Sequence, residues 1–189
     1  MEPHPIRLVV TDDLRRSRLT VFFRLFLALP HFIWLALWGI AAAFAWLAAW
    51  VVAIFTGRVP DGLHGFLASY IRYQTHVYSY YYLLADPFPA FSGSAGYPVD
   101  LEVDAPEQQS RLKVFFRFIL AIPALLIAAV LDYLLQLIGF LAWFVCLFSG
   151  KMPEGFESLS SYCLRYREQT QGYVFLLTQR YPSLSSEPV

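Results

Sequence analysis

Polar and apolar positions divide this chain into blocks that occur twice. A short stretch, Ile6-Arg7-Leu8-Val9-Val10, precedes a long apolar block from Leu19 to Phe55. A proline turn, GRVPDG, follows, and then a Tyr-rich amphipathic stretch from Leu63 to Leu84. The same order returns as Val99-Asp100-Leu101-Glu102-Val103, Leu112 to Phe148, GKMPEG, and Phe156 to Leu177. Val99–Val103 alternates with period two, which predicts a strand in both copies. The offset is 93 residues throughout: Arg18–Pro30 (RLTVFFRLFLALP) falls on Arg111–Pro123 (RLKVFFRFILAIP), Arg72-Tyr73 on Arg165-Tyr166, and Tyr80 on Tyr173. Two supersecondary units, 1–96 and 97–189, are therefore expected, joined at the small-residue linker Ser92–Pro98.

Each apolar block is longer than a bilayer needs. As one helix it would run about 55 Å, against a hydrocarbon core of roughly 30 Å. Gly39 and Asp132 share one repeat position near the middle, and both residue types suit turns. The reading is a helical hairpin in each unit, about 18–56 and 111–149, followed by interfacial amphipathic helices at about 63–84 and 156–177. The expected fold class is mainly α and integral to the membrane. It consists of two parallel tandem repeats, each a strand, a transmembrane hairpin and an interfacial helix, with four transmembrane helices in all.

Composition supports a membrane setting. Apolar residues make up 58% of the 189, charged residues only 15%, and mean hydropathy is +0.50. Soluble domains carry about 25% charged residues. Zero net charge argues against nucleic acid as a partner. All 14 Lys and Arg lie at 7–24, 58–117 or 151–180, so both expected hairpin tips lack positive charge. By the positive-inside rule both termini and the linker face the cytoplasm, and the protein is multi-pass. The N-terminal MEPHPIRLVVTDDLRR lacks the apolar run of a cleavable signal peptide.

Arg24 and Arg117 lie six residues inside each first helix, beside Phe22-Phe23 and Phe115-Phe116. An arginine at bilayer centre costs several kcal/mol, so both are placed near the headgroups, with snorkelling stems. Only about 21 Å of helix remains from Leu25 to Trp38, which is short for a span. Spanning hairpins in a thinned bilayer are the preferred reading; re-entrant wedges are the alternative.

Small residues recur every fourth position as Ala49, Ala53 and Gly57, and again as Ala142, Cys146 and Gly150. This spacing reads as a helix–helix seam within the protein before it reads as a dimer interface. Arg72 and Arg165, with Tyr73 and Tyr166, are candidate contacts for lipid headgroups, although tyrosines at headgroup level need no specific ligand. GRVPDG lacks the spacing and the Lys-Ser/Thr of a phosphate-binding loop. His31 has Ala124 as its counterpart, and Cys146 and Cys163 have Ala53 and Tyr70, so no metal or disulfide site is duplicated. Asp132 reads as a cap or a solvated turn. No catalytic, metal or cofactor motif is present, so no enzymatic activity and no cofactor are expected.

The run FFRLFLALPH, the later FTGRVPDG, the Arg-Tyr of the amphipathic stretch and the closing LLADPFP resemble a bacterial membrane family, domain of unknown function 4389, in two tandem copies. The resemblance implies a multi-pass protein of a bacterial plasma membrane and implies no activity. The functional expectation is a non-enzymatic scaffold or accessory subunit that organises lipid or docks a protein partner, with self-association open. The rival is a small channel or transporter component.

Overall fold

The computed structural model describes residues 3–185. The ends of the two expected units, 1–2 and 186–189, lie outside the described residues, so the placement of the termini does too. Alternation does produce strands: β1 (Ile6–Val10) and β2 (Val99–Val103) pair antiparallel as a two-stranded sheet. Leu8 lies opposite Leu101, its own repeat equivalent, and Ile6 and Val10 lie opposite Val103 and Val99. The register is therefore symmetric about Leu8 and Leu101. A pseudo-two-fold axis passes between them and exchanges the two units.

The apolar blocks do not fold back. In the first unit α1 (Arg18–Thr56) runs unbroken for 39 residues. In the second, a one-turn helix α3 (Arg111–Phe115) leads through Phe116 into α4 (Arg117–Ser149), 33 residues long. This corrects the hairpins, and with them the count of four membrane helices; among the described residues two helices are long and apolar enough to cross a membrane. Gly39 sits in mid-helix, where its missing side chain admits Tyr70: a Cβ there would meet the Tyr70 hydroxyl at 3.0 Å. Asp132 is no turn residue either. It remains in α4 because Arg167 supplies a partner, 3.5 Å away. Glycine in a helix costs only about 1 kcal/mol, which such packing offsets.

Both long helices end at glycine. Gly57 and Gly150 adopt left-handed φ of 75° and 71°, and their N–H groups bond to the carbonyls of Ala53 and Cys146. Any other residue would be strained there, and a Cβ on Gly57 would also lie 3.1 Å from the Gln109 carbonyl. The proline turns then deliver α2 (Asp61–Tyr81) and α5 (Glu154–Val174), each with an acid in its first turn, where the helix dipole favours it.

The elements stack in three layers. The sheet rests on α2 and α5 through Ile6, Leu8, Val99 and Leu101, all buried. The helices α2 and α5 run antiparallel, joined by the Gln171–Gln74 hydrogen bond and by the Arg167 guanidinium over the Tyr78 ring. On their other side lie α1 and α4. These also run antiparallel, meeting near both ends: the Trp143 indole donates to the Val21 carbonyl, and the Trp50 indole to that of Val114. The two bonds are repeat equivalents of one another. Hence the two units are not parallel at the level of their long helices. The helices α2 and α5, covered by the sheet above and the long helices below, form the central layer.

Candidate lipid-facing site

The outer surface of the α1/α4 layer is apolar along its whole length. Among the described residues 38 large hydrophobic side chains are exposed, and 32 of them lie on α1, α3, α4 and the Phe116 that joins the last two. The buried residues of α1 (Val21, Arg24, Ala28, His31, Leu35, Ala42, Ala49, Ala53) fall every three, four or seven positions, which is one stripe. The large apolar residues well off that stripe, such as Phe26, Ile33, Ile40, Phe44 and Phe55, face outward. At roughly 100 Å² each this amounts to on the order of 3,000 Å² of apolar surface. Monomeric soluble proteins rarely expose patches above a few hundred Å².

The opposite surface is charged. On the outer face of the sheet Arg7 pairs with Glu102 at 3.3 Å and with Asp104 at 2.9 Å. Asp100 accepts hydrogen bonds from the Gly96 and Leu101 N–H groups and faces His76 Nε2 at 2.9 Å. Burial alone would raise the Asp100 pKa, but these bonds outweigh it and hold the carboxyl below its ordinary range.

The two arginines of the repeated motif sit between these surfaces, as internal anchors. Arg24 is buried and spans the junction of α1 with the end of α2. Its Nη1 donates to the carbonyls of Tyr80 at 2.6 Å and Ala85 at 2.9 Å, and Nη2 to Asp86 at 2.7 Å. Its guanidinium lies 4.4 Å from the centre of the Tyr80 ring. Arg117 repeats the arrangement with a neutral set: the Thr178 carbonyl, the Gln109 side chain, and the Tyr173 ring at 4.1 Å. The positions that sequence suggested for lipid headgroups are thus filled by the chain's own carbonyls, which are left over where α2 and α5 end. Equivalent bonds tie the units together: Arg16 N–H to Gly150 O and Gln109 N–H to Gly57 O, with the Arg16 and Gln109 side chains on the Leu83 and Leu176 carbonyls.

The remaining sequence candidates are dispersed. Arg72 donates to the Leu101 carbonyl and so fastens α2 to the sheet. Arg165 reaches the Ser185 carbonyl and lies over the Tyr162 ring. Tyr73 and Tyr166 are buried, and the Tyr73 hydroxyl meets His31 Nδ1 at 2.8 Å. Ala49, Ala53, Ala142 and Cys146 are buried where the two halves meet, while Gly57 and Gly150 act as caps. Both cysteines are free and buried.

Sequence reading missed one cluster at the centre. Glu168 is the repeat equivalent of Thr75, and the two share the region of the pseudo-axis. Its carboxylate is fully enclosed and neither oxygen has a hydrogen-bond partner. Burial pushes its pKa up to about 8, against the opposing pull of Arg167. Its position within a polar-looking stretch gave no signal, since an i+1 neighbour such as Arg167 does not share its helix face. Among the described residues no three His, Cys, Asp or Glu side chains converge as they would around a metal ion.

No curated protein and no solved structure matches the chain. A family model does match, over residues 18–93 and 111–185, taking in both copies of the long helix, the proline turn and the central helix but neither strand. The chain belongs to the family described as Domain of unknown function (DUF4389), of which it carries two tandem copies.

Proposed function

We propose that this is a non-enzymatic membrane protein that lies in one leaflet of a bacterial plasma membrane. The α1/α4 layer is immersed in hydrocarbon, and the sheet faces the cytoplasm as a platform for a protein partner. The observation that carries this reading is the opposition of the two outer surfaces along the pseudo-axis, one apolar and one charged. With the axis along the membrane normal, every exposed ion pair of the sheet is in water and the exposed apolar side chains of α1 and α4 are in lipid. A helix layer about 10–12 Å thick also fits within one leaflet of roughly 15 Å. The aromatic residues and arginines at the helix ends suit the surrounding headgroups.

The length and hydropathy of α1 and α4 favour a second reading, in which both helices cross the bilayer. Two costs weigh against it. The charge-free part of α1, Leu25–Thr56, is about 48 Å long and would need a tilt of about 50° to stay within 30 Å, beyond the usual 0–40°. Upright helices would also carry Arg7, Glu102 and Asp104 to mid-bilayer depth, at several kcal/mol for each unscreened charge. A channel fares worse, since lipid-facing rather than pore-facing side chains dominate α1 and α4.

Depth measurement tests the reading. Single spin-labelled cysteines at Leu29, Ile40 and Val51, and at Ile122, Val130 and Leu141, in a background with Cys146 and Cys163 replaced, should report similar depths in one leaflet. A depth that passes from one interface through the bilayer centre to the other along α1 would overturn it, as would labelling of any of these cysteines by an impermeant thiol reagent from the far side.

A further inference from the structure

The two halves differ at one place that bears on lipid. Where α1 and α4 meet near Trp50, the groove between them is filled. Trp46 packs against Phe118 at 5.2 Å and Phe175 at 6.3 Å between ring centres, and its indole donates to the Val174 carbonyl. At the equivalent place in the other half, Gly139 replaces Trp46, Leu25 replaces Phe118, and Tyr82 replaces Phe175. The groove there is open. It is a cavity of about 390 Å³ walled by Leu25, Phe140, Trp143 and the Arg24 stem and floored by Tyr81 and Tyr82. That volume falls within the range of small-molecule sites.

Two features bear on the occupant. Two of its lining residues, Leu25 and Phe140, are exposed on the apolar layer, so what reaches it is hydrocarbon. Gln136 also lines the cavity and is exposed, with no hydrogen-bond partner among the described residues. Its counterpart is Ala43. An amide facing lipid without a partner is costly, and an oxygen or hydroxyl carried by a lipid would relieve it. With no indole at 139, no side chain among the described residues reaches the Tyr81 carbonyl as Trp46 reaches that of Val174.

We propose that this groove binds one long-chain acyl amphiphile from the bilayer, its chain between Leu25 and Phe140 and its ester or carboxyl oxygen on the Gln136 amide. A phospholipid or a free fatty acid would supply that chemistry. The inference rests on the α1/α4 layer being immersed in lipid.

The test uses the full chain in vesicles of phosphatidylethanolamine and phosphatidylglycerol, followed by extraction in mild detergent and native mass spectrometry. Wild type should retain one acyl lipid per chain, and its mass distinguishes phospholipid from fatty acid. Leu25→Phe with Gln136→Ala, which copies the filled half, should lower retention at least fivefold with unchanged thermal unfolding. Trp46→Ala with Phe118→Leu and Ala43→Gln, which opens the filled half and supplies the amide, should raise retention to two. Gly139→Trp is the less reliable variant, because a Cβ there lies 2.7 Å from the Tyr82 ring. Failure of wild type to float with the vesicles would overturn the membrane reading itself. Flotation without a retained lipid, or with retention unchanged in the groove-filling variant, would overturn this inference alone.

Discussion

Replacing Arg24 by Met separates an internal anchor from a headgroup contact. The change leaves the Tyr80 and Ala85 carbonyls without their donor and strands Asp86, whose side chain is 29% exposed. Breaking a buried charged pair by deleting one member typically costs about 3–5 kcal/mol. Partial exposure of Asp86 lets water screen its share, so the lower half of that range is expected. The loss of the Tyr80 cation–π contact adds about 1 kcal/mol. For a chain of this size, the sum of about 4–5 kcal/mol lowers Tm by roughly 8–20 °C. Arg117→Met removes the same guanidinium from neutral hydrogen-bond partners, the Thr178 carbonyl and the Gln109 amide, and the nearby Glu107 keeps its own bonds to the Thr178 hydroxyl and the Gln179 N–H. Its cost should be smaller by about 1 kcal/mol. The assay is thermal unfolding in one mild detergent, repeated in nanodiscs with zwitterionic and with anionic lipid. An internal anchor gives the same loss in all three. A loss below 1 kcal/mol, or one that appears only with anionic lipid, would refute the anchoring role and return Arg24 to the headgroups.

Three other outcomes follow from the same structure. Glu168 has a folded pKa raised to about 8 from an unfolded value near 4.5, so the folded state holds the extra proton between these limits and stability falls as pH rises through that window. Glu168→Gln should therefore unfold like wild type at pH 5 but be more stable by a few kcal/mol at pH 8.5, and parallel pH profiles would show that the carboxyl is not the titrating group. Gly57→Ala, at φ 75° and 3.1 Å from the Gln109 carbonyl, should cost about 1–2 kcal/mol in denaturant unfolding, whereas Gly62→Ala, with open space at its Cβ, should cost under 0.5. Arg167→Met should destabilise by about 2–4 kcal/mol, and adding Asp132→Asn should recover part of that; strictly additive losses would mean that the two groups do not interact.

The repeat, the strands and the apolar character of residues 18–56 and 111–149 were legible in sequence because each is a periodic pattern. The layer order was not. The hairpins were inferred from bilayer thickness, which limits a helix only if it runs along the membrane normal; nothing in the spacing of Gly39 or Asp132 distinguishes a turn from a helix that accommodates Tyr70 or Arg167. The role of Arg24 was half legible: its depth in an apolar run marked it as costly to bury. Its partners Tyr80, Ala85 and Asp86 lie 56 to 62 residues away and carry no local signal. The cluster at Glu168 and the groove at Gly139 arise where the two copies differ, at positions that internal comparison sets aside as mismatches.

The reciprocal bonds across the pseudo-axis have a consequence for how such a chain could arise and be divided. Each half offers an unpaired strand edge, an uncapped Gly carbonyl and an indole donor, and finds all three partners only in the other half. The interface is isologous in the sense of a two-fold dimer. A polypeptide with a single copy would have to pair with its twin, and fusion of two such genes would preserve every one of these contacts while freeing each copy to diverge. The linker near Ser94 then serves mainly to keep the halves at high local concentration. Residues 1–94 and 95–189, made as separate polypeptides in one cell, should find each other and co-purify as a one-to-one pair, whereas either fragment made alone should be degraded or self-associate.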